Sequence, residues 1–222
     1  MEVQTRQLPL EMSEKVPMQP NVAIVLLAAG MARRMGPNGA HKLLAEFDGI
    51  PLIRRSALVA QNSKAGSVTV VVGHRENDLR AALSDLSLSV VTNPDFASGM
   101  SSSLATGFAA VAGDDPDGVL VMLADMPGVT SSDLNRLIAA FQCSGGSSVV
   151  RAVSQGKRGN PVILPRSLND AIFRLEGDVG ARHLIENSGL AVIDVEIGDA
   201  AHVDVDTPEA IIAAGGTLVN KA

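Results

Sequence analysis

The chain has 222 residues, 46% hydrophobic and 19% charged, with a formal net charge of -6, a balance that supplies a full hydrophobic core in a soluble protein. It has no basic surplus, no Trp and no Tyr, which argues against nucleic acid as the partner: tracking phosphates needs clustered Lys and Arg, and stacking bases needs aromatic faces. The single cysteine, Cys143, excludes an intrachain disulfide and fits a cytoplasmic protein; "FQCSGG" offers it no neighbouring base.

Residues 1–20, "MEVQTRQLPLEMSEKVPMQP", mix charges with prolines and lack the apolar segment of a signal peptide. They are expected to form a flexible arm, with residues 21–222 as a single domain. The apolar run "VAIVLLAAG" is much shorter than the ~20 residues of a membrane helix. Strands are expected at 22–28, 67–73, 87–92, 118–124, 148–153, 161–164 and 190–195. The first, second and fourth are continuously apolar, as in a parallel sheet covered on both faces. Helical patterns fall between them, at 52–64, 75–84, 101–112, 131–142, 178–187 and 207–214. Ser131 is a candidate N-cap, and Thr207 followed by Pro208 reads as N-cap then first helical residue. Strands alternating with helices make an α/β protein built in layers.

In such sheets ligands bind beyond the carboxyl ends of the strands. The stretch "VAIVLLAAGMARRMG" (22–36) is one such end. Gly30 can adopt backbone angles closed to other residues, and it lets a ligand approach the main chain. Arg33 and Arg34 follow, with Lys42 after "GPNGAH", so the end can hold phosphates. Neither a P-loop nor a G-x-G-x-x-G fingerprint is present. A second end, "GVLVMLADMPGV" (118–129), places Asp125 directly after an apolar strand, where a carboxylate can hold Mg²⁺. A third, "HVDVDTPEA" (202–210), alternates Asp204 and Asp206 along what reads as a short strand, so that both share one face. Asp206 or Thr207 could equally do no more than cap the last helix. Together Arg34, Lys42, Asp125 and Asp206 fit a metal–triphosphate site. His41, His74, His183 and His202 show no metal-ligand spacing and read as packing or surface residues. Met31, Met35 and Met100 flank the proposed loops, as packing or pocket residues.

The series "LAAGMARRMG…K", "LADMP" and "DVDTPE" resembles the nucleotidyltransferases that attach a nucleotide to the molybdenum cofactor, and is similar in particular to the MocA-like cytidylyltransferases. "NPDFASGMSSSLATG", "GKRGNPVILP" and "LEGDVGARHLI" extend the resemblance over about residues 21–215. It implies a three-layer Rossmann-like (GT-A-like) nucleotidyltransferase fold with a mostly parallel mixed sheet. It also implies transfer of CMP from CTP to the phosphate of molybdopterin, with Mg²⁺ as cofactor and pyrophosphate released. By position, Leu27, Ala28, Ala29, Gly30, Arg34 and Lys42 inherit the triphosphate loop, and Asp125 and Asp206 the metal. Asn93, Gly99, Ser101 and Ser102 inherit the base and ribose contacts. Arg158, Asn160, Gly177, Asp178 and Arg182 inherit the acceptor side. A molybdenum hydroxylase of the xanthine dehydrogenase type is the implied recipient of the product.

Such a reaction needs no protein nucleophile. The acceptor phosphate attacks the α-phosphorus in line, so catalysis is alignment and charge neutralisation, with Arg34, Lys42 and Asp125 as the catalytic residues. Ala29 carries a methyl where the guanylyl branch typically has glycine. One methyl discriminates by only ~1–3 kcal/mol, so GTP stays open as the donor. A sugar phosphate stays open as the acceptor, and a third possibility is a non-catalytic carrier of the cofactor.

Overall fold

The computed structural model describes residues 19–35, 41–177 and 180–219. The arm expected over 1–20 falls almost entirely outside them, as does Asp178. In chain order the elements are β1 (Val22–Ala28), β2 (Glu46–Phe47), β3 (Ile50–Pro51), α1 (Leu52–Gln61), β4 (Ser67–Val72), α2 (Glu76–Leu83), β5 (Ser89–Thr92), α3 (Met100–Val111), β6 (Gly118–Leu123), α4 (Ser131–Cys143), β7 (Val149–Ser154), β8 (Lys157–Pro165), α5 (Asn169–Ile172), α6 (Ala181–Asn187), β9 (Val192–Glu196) and α7 (Pro208–Ala213). Among the described residues no helix is long and apolar enough to cross a membrane.

All seven residues of β1 are buried. Val22, Ile24, Leu26 and Ala28 point into one apolar layer with α1, α2, α4 and α7; Ala23, Val25 and Leu27 point into the other, with α3, α5 and α6. Two-sided burial is why this strand reads as an unbroken apolar run. The seven-stranded sheet has the order β5-β4-β1-β6-β8-β7-β9. The chain runs outward from β1 through β4 to β5, then returns across the sheet by α3 to β6 on the other side of β1, parallel to it. That reversal is a topological switch point, and it opens a crevice at the carboxyl ends of β1 and β6. The α3 crossing is close: a Cβ on Gly107 would lie 2.3 Å from Val25 Cγ1.

β8 alone runs against its neighbours. It follows β7 through Gln155 and Gly156, whose φ values of 50° and 76° make a two-residue turn of the kind that closes an antiparallel hairpin. Consequently the first residues of β8, not the last, sit at the sheet edge that carries the carboxyl ends of β1 and β6. The β2–β3 hairpin is likewise closed by Asp48-Gly49, with φ 53° and 76°; its "DG" signal is present in the sequence, but the strands are too short to register as apolar runs.

Two local expectations are corrected. The N-cap of α4 is Thr130, not Ser131. Thr130 Oγ1 accepts the Asp133 N–H and the Asp133 carboxylate accepts the Thr130 N–H, a reciprocal capping box, while the Ser131 hydroxyl donates to the Val59 carbonyl. Residues 203–206 are not a strand. They are irregular chain after the turn Gly198–Ala201, fastened where the Val205 N–H donates to the Asp125 carbonyl at 3.0 Å.

Candidate active site

The switch-point crevice is a cavity of about 510 Å³, lined by the loop after β1, the start of α3, Asp125 and residues 204 and 206. Its floor is tied down by hydrogen bonds to main-chain carbonyls. The Ala124 N–H donates to Leu27 O, the His74 N–H donates to Ala29 O, and the Ser56 hydroxyl donates to Ala124 O. The loop leaves β1 through Ala29 and Gly30 and closes in a short turn, Arg33–Met35, whose Met35 is buried. Apolar Met35 holds the turn against the core while Arg33 and Arg34 stay in the solvent-facing wall.

Gly30 lines the cavity, and a Cβ there would meet no protein atom within 4 Å. The backbone conformation that glycine favours occurs instead at Ala32, with φ 50°. Of the two reasons expected for Gly30, its backbone angles are thus corrected: the left-handed position of the turn is two residues later and is occupied by a residue with a Cβ.

Four charged side chains meet in this cavity. Lys42 Nζ donates to Asp125 Oδ2 at 2.5 Å and to Asp206 Oδ1 at 2.6 Å, and Arg34 Nη1 donates to Asp206 Oδ2 at 2.6 Å. Lys42 sits on the turn Lys42–Leu44 with its side chain only 12% exposed, whereas the Arg34 side chain is 73% exposed. Burial opposes the charge on Lys42, but the two carboxylates outweigh it and raise the ammonium pKa. The Lys42 hydrogen bond holds Asp206 below the usual carboxylate range against the opposing effect of burial, and Arg34 adds to the lowering. Asp125 Oδ1 is buried and has no hydrogen-bond partner. A buried oxygen without a donor is costly, and a carboxylate oxygen of this kind is one that could accept a divalent cation. Among the described residues no three His, Cys, Asp or Glu converge into a metal cage.

The other sequence-derived residues separate into groups. Leu27, Ala28, Ala29, Gly30 and Gly99 line the cavity. Gly99 has φ 118° and ψ -177°, which a residue with a Cβ rarely adopts, and it starts α3. Asn93, Ser101 and Ser102 do not line it. Asn93 is 1% exposed and its side-chain amide donates to the hydroxyls of Ser102 and Ser103, while its carbonyl oxygen accepts the Asp95 N–H. The Ser101 hydroxyl donates to the Gly177 carbonyl. Ser103, Phe96 and Met100 stand in the cavity wall instead; the helical register of α3 decides which serine faces it, and the sequence alone did not supply that register. Met31 also lines the cavity. Asn160 lies in the first half of β8, toward the same sheet edge, and Arg158 and Arg182 approach Glu186 at 3.8 and 3.2 Å. None of Arg158, Asn160, Gly177 or Arg182 lines the cavity.

A MobA-like NTP transferase domain matches residues 24–192. The chain belongs to the MobA-like NTP transferase family. As a member of this family it is a nucleotidyltransferase. It is 31% identical over 196 residues to molybdenum cofactor guanylyltransferase of Shewanella loihica, covering 86% of this chain and 94% of that protein. It is 29% identical over 196 residues to nicotine blue oxidoreductase of Paenarthrobacter nicotinovorans, with the same coverage. Among solved structures, Rv0371c of Mycobacterium tuberculosis superposes with a TM-score of 0.77 at 23% identity, covering 89% of this chain and 98% of that one. A structure of Rv0371c in complex with manganese superposes at 0.73, also at 23% identity, covering 88% and 98%. At that identity the superposition speaks for the fold, and the fold is the one expected.

Proposed function

We propose that the protein transfers CMP from CTP to the phosphate of molybdopterin, giving molybdopterin cytosine dinucleotide and pyrophosphate. The observation that carries this reading is the convergence of Arg34 and Lys42 with Asp125 and Asp206 in one crevice, Asp125 Oδ1 remaining without a donor. Asp125 and Asp206 would hold Mg²⁺, which supplies charge neutralisation on the polyphosphate. Lys42 and Arg34 are then free to take the leaving pyrophosphate, and the Ala29–Gly30 main chain lies open to the phosphates. The acceptor phosphate is already largely ionised near pH 7, its second pKa being ~6, so no side chain has to remove a proton. Arg158, Asn160, Gly177, Asp178 and Arg182 are assigned to the acceptor side, and Asn93, Ser101 and Ser102 to support of the base-side wall. The product would pass to a molybdenum hydroxylase of the xanthine dehydrogenase type.

The Ala29 methyl favours cytosine over the larger guanine, by ~1–3 kcal/mol; the relative named as a guanylyltransferase makes GTP the alternative to test. A fold does not set a reaction, and one relative is named for a redox activity. The paired cations and acids favour phosphate chemistry here. The test is to incubate the protein with Mg²⁺, molybdopterin and each nucleoside triphosphate in turn and to measure pyrophosphate. Release with CTP alone supports the proposal; release with GTP moves the donor; release only with a sugar phosphate as acceptor moves the acceptor. No release with any pair, together with tight pterin binding, means a carrier. Asp125→Ala should abolish turnover with the melting temperature retained.

A further inference from the structure

Directly behind the charge cluster lie two histidines that the proposed reaction does not use. His41 precedes Lys42 and is 3% exposed. It caps the turn that carries Lys42, its Nδ1 accepting the Leu43 N–H at 3.3 Å. A nitrogen that accepts cannot also carry a proton, so the neutral ring has its proton on Nε2. Nε2 is buried without a hydrogen-bond partner. The ring stacks on His74, with centroids 5.5 Å apart and planes 22° apart, and His74 in turn stands 6.2 Å from Phe96 in the cavity wall. The His74 main-chain N–H is bonded to Ala29, where the β1 loop begins. A column of three rings therefore runs from the turn of Lys42, past the phosphate loop, to the wall of the cavity. Burial above all, then the positive surroundings of His74, Arg75 and Lys42, push the His41 pKa down to about 4, against a smaller opposing effect of the Gly30 main chain. The ring is consequently neutral near pH 7 and its Nδ1 lone pair is available.

We propose that His41 is a positioning residue for Lys42: its ring, braced on His74, caps the Lys42 turn through Nδ1 and so fixes the ammonium between Asp125 and Asp206. It touches no substrate. The consequence for nucleotide binding rests on reading the cavity as a nucleoside triphosphate site. The signal in the sequence was only a histidine before a lysine, and nothing in its spacing distinguished it from a packing residue.

The test separates capping from packing with two substitutions. His41→Leu keeps apolar volume and removes the acceptor; His41→Asn keeps a capping acceptor and loses volume. Binding of CTP with Mg²⁺ is measured by calorimetry, with CMP as the control that lacks the phosphates Lys42 would grip. His41→Leu is expected to weaken CTP five- to ten-fold, as for a lost cap, and to leave CMP unchanged. His41→Asn restores CTP binding to within about two-fold of the starting protein. In a Lys42→Ala background His41→Leu has no further effect, because the residue it acts through is gone. Equal losses in the Leu and Asn variants, or a His41→Leu effect that persists without Lys42, overturn the proposal. Two readouts need no nucleotide. Nitrogen NMR of the imidazole should show Nε2 protonated and Nδ1 bare between pH 5 and 8 at about 25 °C. The Lys42 ammonium signal, protected by two carboxylates, should broaden in His41→Leu and return in His41→Asn. A proton on Nδ1, or an unchanged ammonium signal, also overturns it. Should the unsubstituted protein bind no nucleoside triphosphate, the functional reading falls, and these two readouts still decide what His41 does.

Discussion

Lys42 Nζ stands 2.5 Å from Asp125 Oδ2 and, in the same position, 2.6 Å from Asp206 Oδ1. The ammonium thus occupies the space between the two carboxylates proposed to hold the metal. One cation does the work of another: two acids 81 residues apart in sequence cannot sit side by side in a half-buried crevice without a positive charge between them.

Replacing Lys42 by Met should therefore act in two opposite ways. Turnover should fall by about 100-fold or more, as when a charge that stabilises the transition state is removed, read as pyrophosphate release at saturating CTP. Binding of Mn²⁺ in the absence of nucleotide should tighten, by about ten-fold on the scale of one lost competing ion pair, read by calorimetry. Unchanged Mn²⁺ affinity would show that Lys42 does not compete for the acids.

His41 predicts an acid limb to the stability. Its folded-state pKa, about 4, lies below the ordinary imidazole value of 6.5. The unfolded chain binds the proton first, so the contribution is complete above pH 6.5 and is lost as pH falls through 4. The size is about 3 kcal/mol for a shift of this order. Asp206, depressed from 3.8, loses its contribution only below that pH, and Lys42, raised above 10.5, only at alkaline pH. Denaturant melts of the starting protein and of His41→Asn between pH 7 and 4 should diverge, with the steeper loss in the protein that keeps the histidine. Parallel curves would place the acid sensitivity elsewhere.

Ala32→Gly should stabilise the protein. Ala32 holds φ 50°, a conformation that costs a residue with a Cβ roughly 1–2 kcal/mol. Part of the gain is offset by the greater freedom of glycine when unfolded, leaving a net gain of up to about 1 kcal/mol, measured as a shift of the urea midpoint at constant slope.

Gly159→Ala should do the reverse, and reach the site. A Cβ on Gly159 would lie 2.2 Å from the Ala201 carbonyl oxygen. β8 and the turn Gly198–Ala201 would have to separate, at a cost of about 1–3 kcal/mol. That turn leads into 203–206, so Asp206 would move away from Lys42. Loss of stability accompanied by weaker Mn²⁺ binding is expected; loss of stability alone would mean that residues 203–206 are positioned independently, through Val205 and Asp125.

The sequence made the layers legible because burial leaves a mark at each residue: β1 and β6 are apolar along their length, and β4 is so but for Ser67 and Thr69. Arg34, Lys42 and Asp125 were legible for a different reason, each following a strand or opening a turn where parallel sheets present their ligand sites, whereas Asp206 was picked out on an expected strand that is irregular chain in the structure. Strand direction was not. β8 reverses because Gln155 and Gly156 adopt left-handed angles, a two-residue signal inside a polar stretch that periodicity does not register. Asn93 and Ser102 illustrate the other limit. Their types suit a nucleotide contact, but the fold bonds them to one another, and only a three-dimensional register shows which polar group faces inward and which faces the cavity.

Arg34 and Asp206 are 172 positions apart and hydrogen-bonded. The crevice accordingly has no local precursor: a half-synthesised chain, or one clipped after α6, contains every residue of the β1 loop and none of its final counter-charge. Closure of the crevice is a property of the whole fold, and its appearance during refolding should be the last event to complete.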